Sequence, residues 1–236
     1  MKILSSKFNL AKLLDADQQV VMSFVNLYSV GQVLKMQALN KVVIYSGDGF
    51  LLNVLLGMIY FKKVERISFD FTSIADCVIS KALKEKREII FVGGKANESE
   101  DFKRKIKGKY SSLKIKCMHG YVFDEQYDDV IKRLSCSDAG YIVAGMGGGL
   151  QEKFISDLYH QGFKGHLFTC GGFISQTAMS ESEVYYPKMI DKFNLRAFYR
   201  MYREPHTIKR YCIDYPRNAL LVIKTAIVEK EKIVIV

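Results

Sequence analysis

The chain of 236 residues has no tryptophan, three prolines and no apolar run near the roughly 18 residues that a membrane-spanning helix needs. Its start lacks the sustained apolar core and the small-residue cleavage site of a secretory signal peptide. The five cysteines are scattered and never form a CxxC pair, and the four histidines show no metal-ligand spacing. These absences predict a cytoplasmic protein with reduced thiols and no metal site.

Positive charge is in excess, with a net +10 at pH 7. Such an excess implies an anionic partner, which is nucleic acid, a membrane surface or a phosphorylated substrate. Residues 186–217 hold eight Lys/Arg against three Asp/Glu and contain all three prolines. We therefore predict a boundary here, between a core of residues 1–186 and a basic C-terminal appendage of residues 187–236.

Short apolar runs alternate with stretches of helical periodicity along the core. Strands are predicted at Val20–Val25, Val42–Tyr45, Arg66–Phe69, Glu88–Val92, Leu113–Cys117, Tyr141–Ala144 and Leu167–Cys170. This alternation predicts an α/β fold, a mostly parallel sheet with helices on both faces. Ligands of such sheets bind at the carboxyl ends of the strands. The residues expected at that edge are Asn26, Asp48, Gly93, Gly120, Gly145 and Gly171.

The turn Gly145–Gly149 contains four glycines between a predicted strand and a predicted helix. Such a turn directs backbone N–H groups at the helix N-terminus toward one point, which suits a phosphate. Gln151 and Glu152 are expected in the first helical turn. The spacing matches neither the dinucleotide fingerprint nor the P-loop, so a plain strand–helix turn is an equal alternative.

Asp48 is the carboxylate that the sequence singles out, because it follows a strand and lies between two glycines. In that position it suits a general base. The alternative is that Asp48-Gly49 is simply a favoured turn pair. Asn26, after the neighbouring predicted strand, either binds a sugar hydroxyl or caps its own turn.

Basic and aromatic residues interleave in Phe193–Tyr202. This pattern suits a helix lying on an anionic membrane, and its arginines also suit a diphosphate leaving group. An ordinary docked helix with a solvated basic face is the alternative.

Several short motifs occur in a fixed order over roughly residues 20–215. They are Asn26, Asp48-Gly49, Glu65-Arg66, Gly120-Tyr121, Gly145, Gly147, Gln151-Glu152, Gly171-Gly172-Phe173, Leu195–Arg200, Glu204-Pro205 and Arg210-Tyr211. In this order the chain resembles the WecG/TagA/CpsF family of bacterial glycosyltransferases.

The resemblance implies a Rossmann-like core and an appendage that contacts the inner face of the cytoplasmic membrane. It implies metal-independent, inverting transfer from a UDP-sugar, with no further cofactor, to a polyprenyl-diphosphate-linked acceptor in surface polysaccharide assembly. On this pattern Asp48 is the base, and Arg200, Arg203 and Arg210 are candidates to offset charge on the departing UDP. The implied substrate-binding residues are Asn26, Gly49, Arg66, Gly94, Gly120, Tyr121, Gly145, Gly147, Gly148, Gln151, Glu152, Gly171, Gly172 and Gln176. Homo-oligomer formation is left open.

Five positions depart from the family pattern: Phe24 replaces Thr, Gly149 replaces Pro, Phe198 replaces Trp, Thr207 replaces Arg, and Ile174-Ser175-Gln176 lacks an Asp. The donor therefore stays open between N-acetylmannosamine and a hexose such as glucose. Two other function classes are a non-catalytic nucleotide-sugar-binding assembly subunit and a nucleic-acid-binding protein. The second is not expected, because no reading module or basic stripe with exposed aromatics stands out.

Overall fold

All strand pairs of the described chain are parallel and belong to one sheet. The structure is a computed structural model that describes residues 1–7, 12–14, 18–36, 43–121, 126–180, 189–190, 195–203, 205–229 and 233–235. Its strands are β1 (Lys2–Leu4), β2 (Val21–Val25), β3 (Ile44–Gly47), β4 (Ile89–Gly93), β5 (Ile115–Met118), β6 (Tyr141–Gly145), β7 (His166–Thr169) and β8 (Val234–Ile235). The sheet order is β5-β4-β6-β7-β2-β3-β1-β8.

Helices follow most of these strands. They are α1 (Val30–Val33), α2 (Phe50–Tyr60), α3 (Ala75–Lys84), α4 (Ala96–Lys109), α5 (Tyr127–Ser135), α6 (Leu150–His160), α7 (Phe173–Met179), α8 (Arg196–Arg203) and α9 (Tyr215–Val228). A 3-10 turn (Pro205–Thr207) and a π-helical turn (Arg210–Asp214) lie between α8 and α9. Within the described ranges, no helix has both the length and the apolar character needed to cross a bilayer.

Both faces of the sheet are covered, which explains why its strands are apolar on both sides. Leu56 of α2, Phe154 of α6 and Val222 of α9 belong to the hydrophobic cluster on one face. Val78 of α3 and Phe102 of α4 belong to the cluster on the other face. The predicted α/β fold, with a parallel sheet between two helical layers, is confirmed.

The prediction of a strand at Arg66–Phe69 is wrong. This segment crosses the carboxyl ends of β1 and β3 instead of extending the sheet. The Ile67 N–H donates to the carbonyl of Gly47 at 3.1 Å, and the Glu65 N–H donates to the carbonyl of Ser5 at 2.8 Å. Because each bond goes to a different strand, no ladder forms.

The end of the chain belongs to the sheet domain. The predicted boundary at residue 186 itself lies outside the described residues. Val222 of α9 is fully buried in the main core, and β8 pairs with β1, with Lys2 opposite Val234. The predicted appendage, residues 187–236, therefore includes two elements of the sheet domain. The apolar periodicity of α9 places one of its faces in the core, and β8 joins the sheet through β1.

Asn218 holds α9 against the turn that follows β2. Its Nδ2 donates to the carbonyls of Leu27 at 2.7 Å and Tyr28 at 3.0 Å. Gly31 of α1 permits this approach, since a Cβ there would lie 2.4 Å from Oδ1 of Asn218. Helix α1 therefore packs closely against helix α9.

We expect the Gly31→Ala substitution to lower the free energy of unfolding by roughly 1–3 kcal/mol, because the added methyl displaces Asn218 and leaves buried carbonyls unpaired. Gly108 in α4 is the matched control, since a Cβ there meets no atom within 4 Å. The Gly108→Ala substitution should raise the free energy of unfolding by about 0.5–1 kcal/mol. Urea titrations of both variants measure this difference, and equal stability would contradict the role of Asn218.

Candidate active site

The turns after β2, β3 and β6 contact one another at the carboxyl edge of the sheet. The Asp48 N–H donates to the carbonyl of Val25 at 2.8 Å, which joins the ends of β3 and β2. A Cβ on Gly148 would lie 2.9 Å from Cβ of Ser29. The turn after β2 therefore lies between Asp48 and the glycine turn. Three strand spacings, roughly 14 Å, separate β3 from β6, which leaves room for a nucleotide sugar.

The glycine turn after β6 adopts a conformation that glycine favours. Gly147 has φ +87° and Gly149 has φ +89°, which side chains disfavour. The Gly149 N–H donates to Oε2 of Glu152 at 2.5 Å. Proline fixes φ near −65° and has no N–H. The chain therefore cannot follow this backbone path with the proline that the family pattern has at position 149.

Gln151 and Glu152 lie beneath the glycine turn rather than on its surface. Glu152 is fully buried, and its Oε1 accepts from Oγ of Ser23 at 2.7 Å and Nε2 of Gln151 at 3.0 Å. Oε1 of Gln151 accepts from the Gly171 N–H at 3.2 Å. The prediction has both side chains binding the substrate. In the structure they are buried under the glycine turn and link the turns after β6 and β7.

Burial and, secondarily, the negative charge of Glu152 raise the pKa of Tyr45. Tyr45 lies opposite Ser23 in the β2–β3 pair. Its hydroxyl therefore stays protonated at neutral pH.

Arg66 holds Asp48 in place at the carboxyl edge of the sheet. Its Nη2 donates to Oδ1 of Asp48 at 3.1 Å, and its Nε donates to the Asp48 carbonyl at 2.9 Å. The same Nη2 donates to Oδ2 of Asp70 at 2.7 Å. The Asp48 side chain keeps 36% of its surface exposed. Arg66 thus orients a carboxylate that remains open to a ligand.

Asn26 caps its own turn, as one of its two predicted roles requires. Its Oδ1 accepts from the Tyr28 N–H at 2.9 Å and the Ser29 N–H at 3.2 Å. Gly49 packs against it, since a Cβ there would lie 2.9 Å from Cβ of Asn26. The other predicted role, binding a sugar hydroxyl, would fall to the amide nitrogen.

Arg210 reaches the turn after β2. Its guanidinium carbon lies 4.1 Å from the centroid of the Tyr28 ring, a cation–π distance. Arg203 lies exposed at the end of α8, and the side chain of Arg200 lies outside what the structure describes. Of the predicted arginines, the contacts of the described residues bring Arg210 and Arg66 to the edge.

The remaining predicted residues lie on the β4–β5 side of the edge or after β7. The Gly120 N–H donates to the carbonyl of Gly94 at 2.9 Å, and Tyr121 beside it is exposed. A Cβ on Gly145 would lie 2.7 Å from the Gly171 carbonyl oxygen. After β7, a Cβ on Gly172 would lie 3.1 Å from Nε2 of Gln176. The turns after β4 and β5 extend the edge beyond β6, and the turn after β7 lies between those of β6 and β2.

Phe24, Ile174 and Thr207, three of the departures from the family pattern, are buried. The ring of Phe24 packs edge-on against Phe69, with centroids 6.2 Å apart. Phe24 and Ile174 therefore act through core packing, and neither side chain is presented to a sugar.

Gln32 of α1 is a site residue that the sequence did not indicate. Its Oε1 lies 3.1 Å from the Cβ positions of Gly148 and Gly149. This oxygen is buried and accepts no hydrogen bond from the described residues. A buried unpaired amide beside a glycine turn is unusual and suits a ligand contact.

The edge combines an oriented carboxylate, two guanidinium groups and the N-terminus of α6. Such parts can bind an anionic ligand and accept a proton from a hydroxyl. In the part of the chain that is described, no three His, Cys, Asp or Glu side chains form a cluster that fits a metal ion.

Comparison with known proteins agrees with the sequence motifs. The model of the "Glycosyl transferase WecG/TagA/CpsF family" matches residues 7–232. A relative from Shigella boydii, UDP-Gal:alpha-D-GlcNAc-diphosphoundecaprenol beta-1,4-galactosyltransferase, is 32% identical over 203 residues, which cover 84% of this chain and 83% of the relative. The chain therefore belongs to the WecG/TagA/CpsF family of glycosyl transferases.

Proposed function

We propose that this glycosyltransferase moves a hexose, with inversion, from a UDP-sugar to a polyprenyl-diphosphate-linked acceptor in bacterial surface polysaccharide synthesis. The relative from Shigella boydii is named for UDP-Gal as donor and a diphosphoundecaprenol-linked acceptor. The observation that carries the proposal is geometric. Asp48 and the glycine turn lie on the two sides of the turn that follows β2, at one edge of the sheet.

The diphosphate of the donor binds at the glycine turn and the N-terminus of α6. The Gly149 N–H is already bonded to Glu152, so the neighbouring N–H groups of the first turn hold the phosphate oxygens. The amides of Asn26 and Gln32 lie between this turn and Asp48 and contact the sugar hydroxyls. Gln151 and Glu152 support the turn from below.

Asp48 takes the proton from the acceptor hydroxyl as its oxygen forms a bond to the anomeric carbon. The bond between that carbon and the diphosphate oxygen breaks, and UDP leaves with the electron pair. Attack from the face opposite UDP inverts the anomeric centre. Arg66 keeps the carboxylate in position, and Arg210 offsets the charge that develops on UDP.

The acceptor is a lipid, so the enzyme works as a peripheral protein on the inner face of the cytoplasmic membrane. Phe198 and Tyr202 of α8 are exposed large side chains, and Arg203 is exposed beside them. Aromatic and basic side chains on one short helix suit the headgroup region of an anionic bilayer.

The Asp48→Asn substitution is expected to lower turnover at least about a hundredfold while leaving UDP binding nearly unchanged, because the base is lost but the nucleotide turn is intact. Radiolabel transfer to a lipid acceptor and UDP calorimetry measure the two properties. Asp101 in α4 is the control, since its side chain is 44% exposed and pairs with Arg104, and Asp101→Asn should keep full turnover. Normal turnover of Asp48→Asn would remove Asp48 from the role of base.

The preference among UDP-sugar donors tests which sugar the enzyme transfers. With a GlcNAc-diphospholipid acceptor, we expect UDP-galactose or UDP-glucose to give a kcat/KM at least about tenfold above UDP-N-acetylmannosamine, because an extra N-acetyl group needs its own space and hydrogen-bond partner. Competition between labelled donors measures the ratio. A clear preference for an N-acetylated donor would contradict a hexosyltransferase.

Metal removal tests how the leaving group is stabilised. Since Arg210 and the α6 N-terminus provide positive charge, excess EDTA should leave turnover within about twofold of the untreated enzyme, whereas Arg210→Gln should lower kcat about a hundredfold. Loss of activity in EDTA that Mg²⁺ or Mn²⁺ restores would contradict this assignment.

A further inference from the structure

The helix α2 is apolar on the side that faces away from the core. It has eleven residues and no charged side chain. Leu52 and Leu56 are buried against the sheet. The opposite side exposes a stripe made of Phe50, Leu51, Val54, Met58 and, just past the helix, Phe61. Phe61 is 94% exposed. A helix that is apolar all round is normally covered on every side.

The neighbouring helix α9 continues this surface. The two helices contact each other and pack on the same face of the sheet, so their outer sides face the same way. The outer side of α9 exposes Leu220, Ile227 and Val228, with Arg217 and Lys224 among them. We call the exposed residues of the two helices the α2–α9 face.

The charges on the α2–α9 face have one sign. Neither helix contains an acidic residue. Lys63, just beyond α2, is exposed like Arg217 and Lys224, and the acidic Glu229, just beyond α9, is exposed as well. Basic side chains around exposed apolar ones suit a bilayer with anionic headgroups. A second copy of the chain fits less well, because a two-fold contact would bring like charges together.

The α2–α9 face begins at the candidate active site. Phe50 starts α2 two residues after Asp48. At the first turns of α9, Asn218 is bonded to the turn after β2. The N-terminal ends of both helices therefore lie at the carboxyl edge of the sheet.

We infer that the α2–α9 face docks on the surface of an anionic bilayer, with its apolar stripe at the level of the acyl chains. This contact is additional to the one proposed for α8. Its meaning for catalysis rests on the proposed function: a face that begins beside Asp48 presents that carboxylate to a hydroxyl just above the headgroups.

The test uses the full chain with Val54→Glu and Met58→Glu combined. Phosphatidylglycerol vesicles in a co-sedimentation assay should bind this variant at least about tenfold more weakly than the unchanged protein, because two carboxylates then meet anionic headgroups. Met179→Glu on α7 is the matched control, since Met179 is 67% exposed, Met58 is 62% exposed, and α7 packs on the other face of the sheet. Its vesicle binding should be unchanged.

Equal binding of the Val54→Glu/Met58→Glu variant and the unchanged protein overturns the inference, as does an equal loss in Met179→Glu. A halved molecular mass of the double variant in sedimentation equilibrium also overturns it, because the face would then join two copies. Circular dichroism establishes that each variant is folded.

Transfer to a short-chain, detergent-soluble acceptor separates the two proposals. The double variant should keep this activity, and Asp48→Asn should lose it while binding vesicles normally. If the unchanged protein transfers no sugar from any UDP donor but its vesicle binding still depends on Val54 and Met58, the proposed function fails and the docking face stands.

Discussion

The buried carboxylate of Glu152 is the interaction on which the centre of the molecule depends. A charge removed from water is costly unless hydrogen bonds surround it. Here the donors come from the glycine turn through Gly149, from β2 through Ser23, and from Gln151 in the same helix. Ser23 also shares a hydrogen bond with Thr169 of β7. One carboxylate therefore ties the turn to the two central strands, so the turn is organised before any ligand arrives.

A second, separate network organises the other side of the edge. Arg66 joins Asp48 to Asp70, and Asp70 accepts further bonds from Ser68 and Thr72. The turn after β2 lies between the two networks. The nucleotide side and the carboxylate side are thus each held by their own hydrogen bonds.

The sequence predicted what depends on neighbouring residues and missed what depends on distant ones. Apolar runs that end in glycine located the strand ends, since both features are local. Glu152 was expected beside the ligand because its position in the helix is visible, whereas its burial depends on Ser23 in another strand. Likewise, Arg66–Phe69 has strand composition but pairs with no strand among the described residues. The prolines and basic residues of 186–217 led to the prediction of a separate appendage, whereas α9 and β8 belong to the sheet domain.

The pairing of β1 with β8 joins two segments that are made more than 200 residues apart on the ribosome. One edge of β1 pairs with β3, whereas the other edge pairs with residues 234–235, so that second edge stays unpaired until those residues have been synthesised. The same delay applies to Asn218 and the turn it supports. A nascent chain can collapse around its central strands, but the edge that carries Asp48 acquires its support from α9 and β8 late.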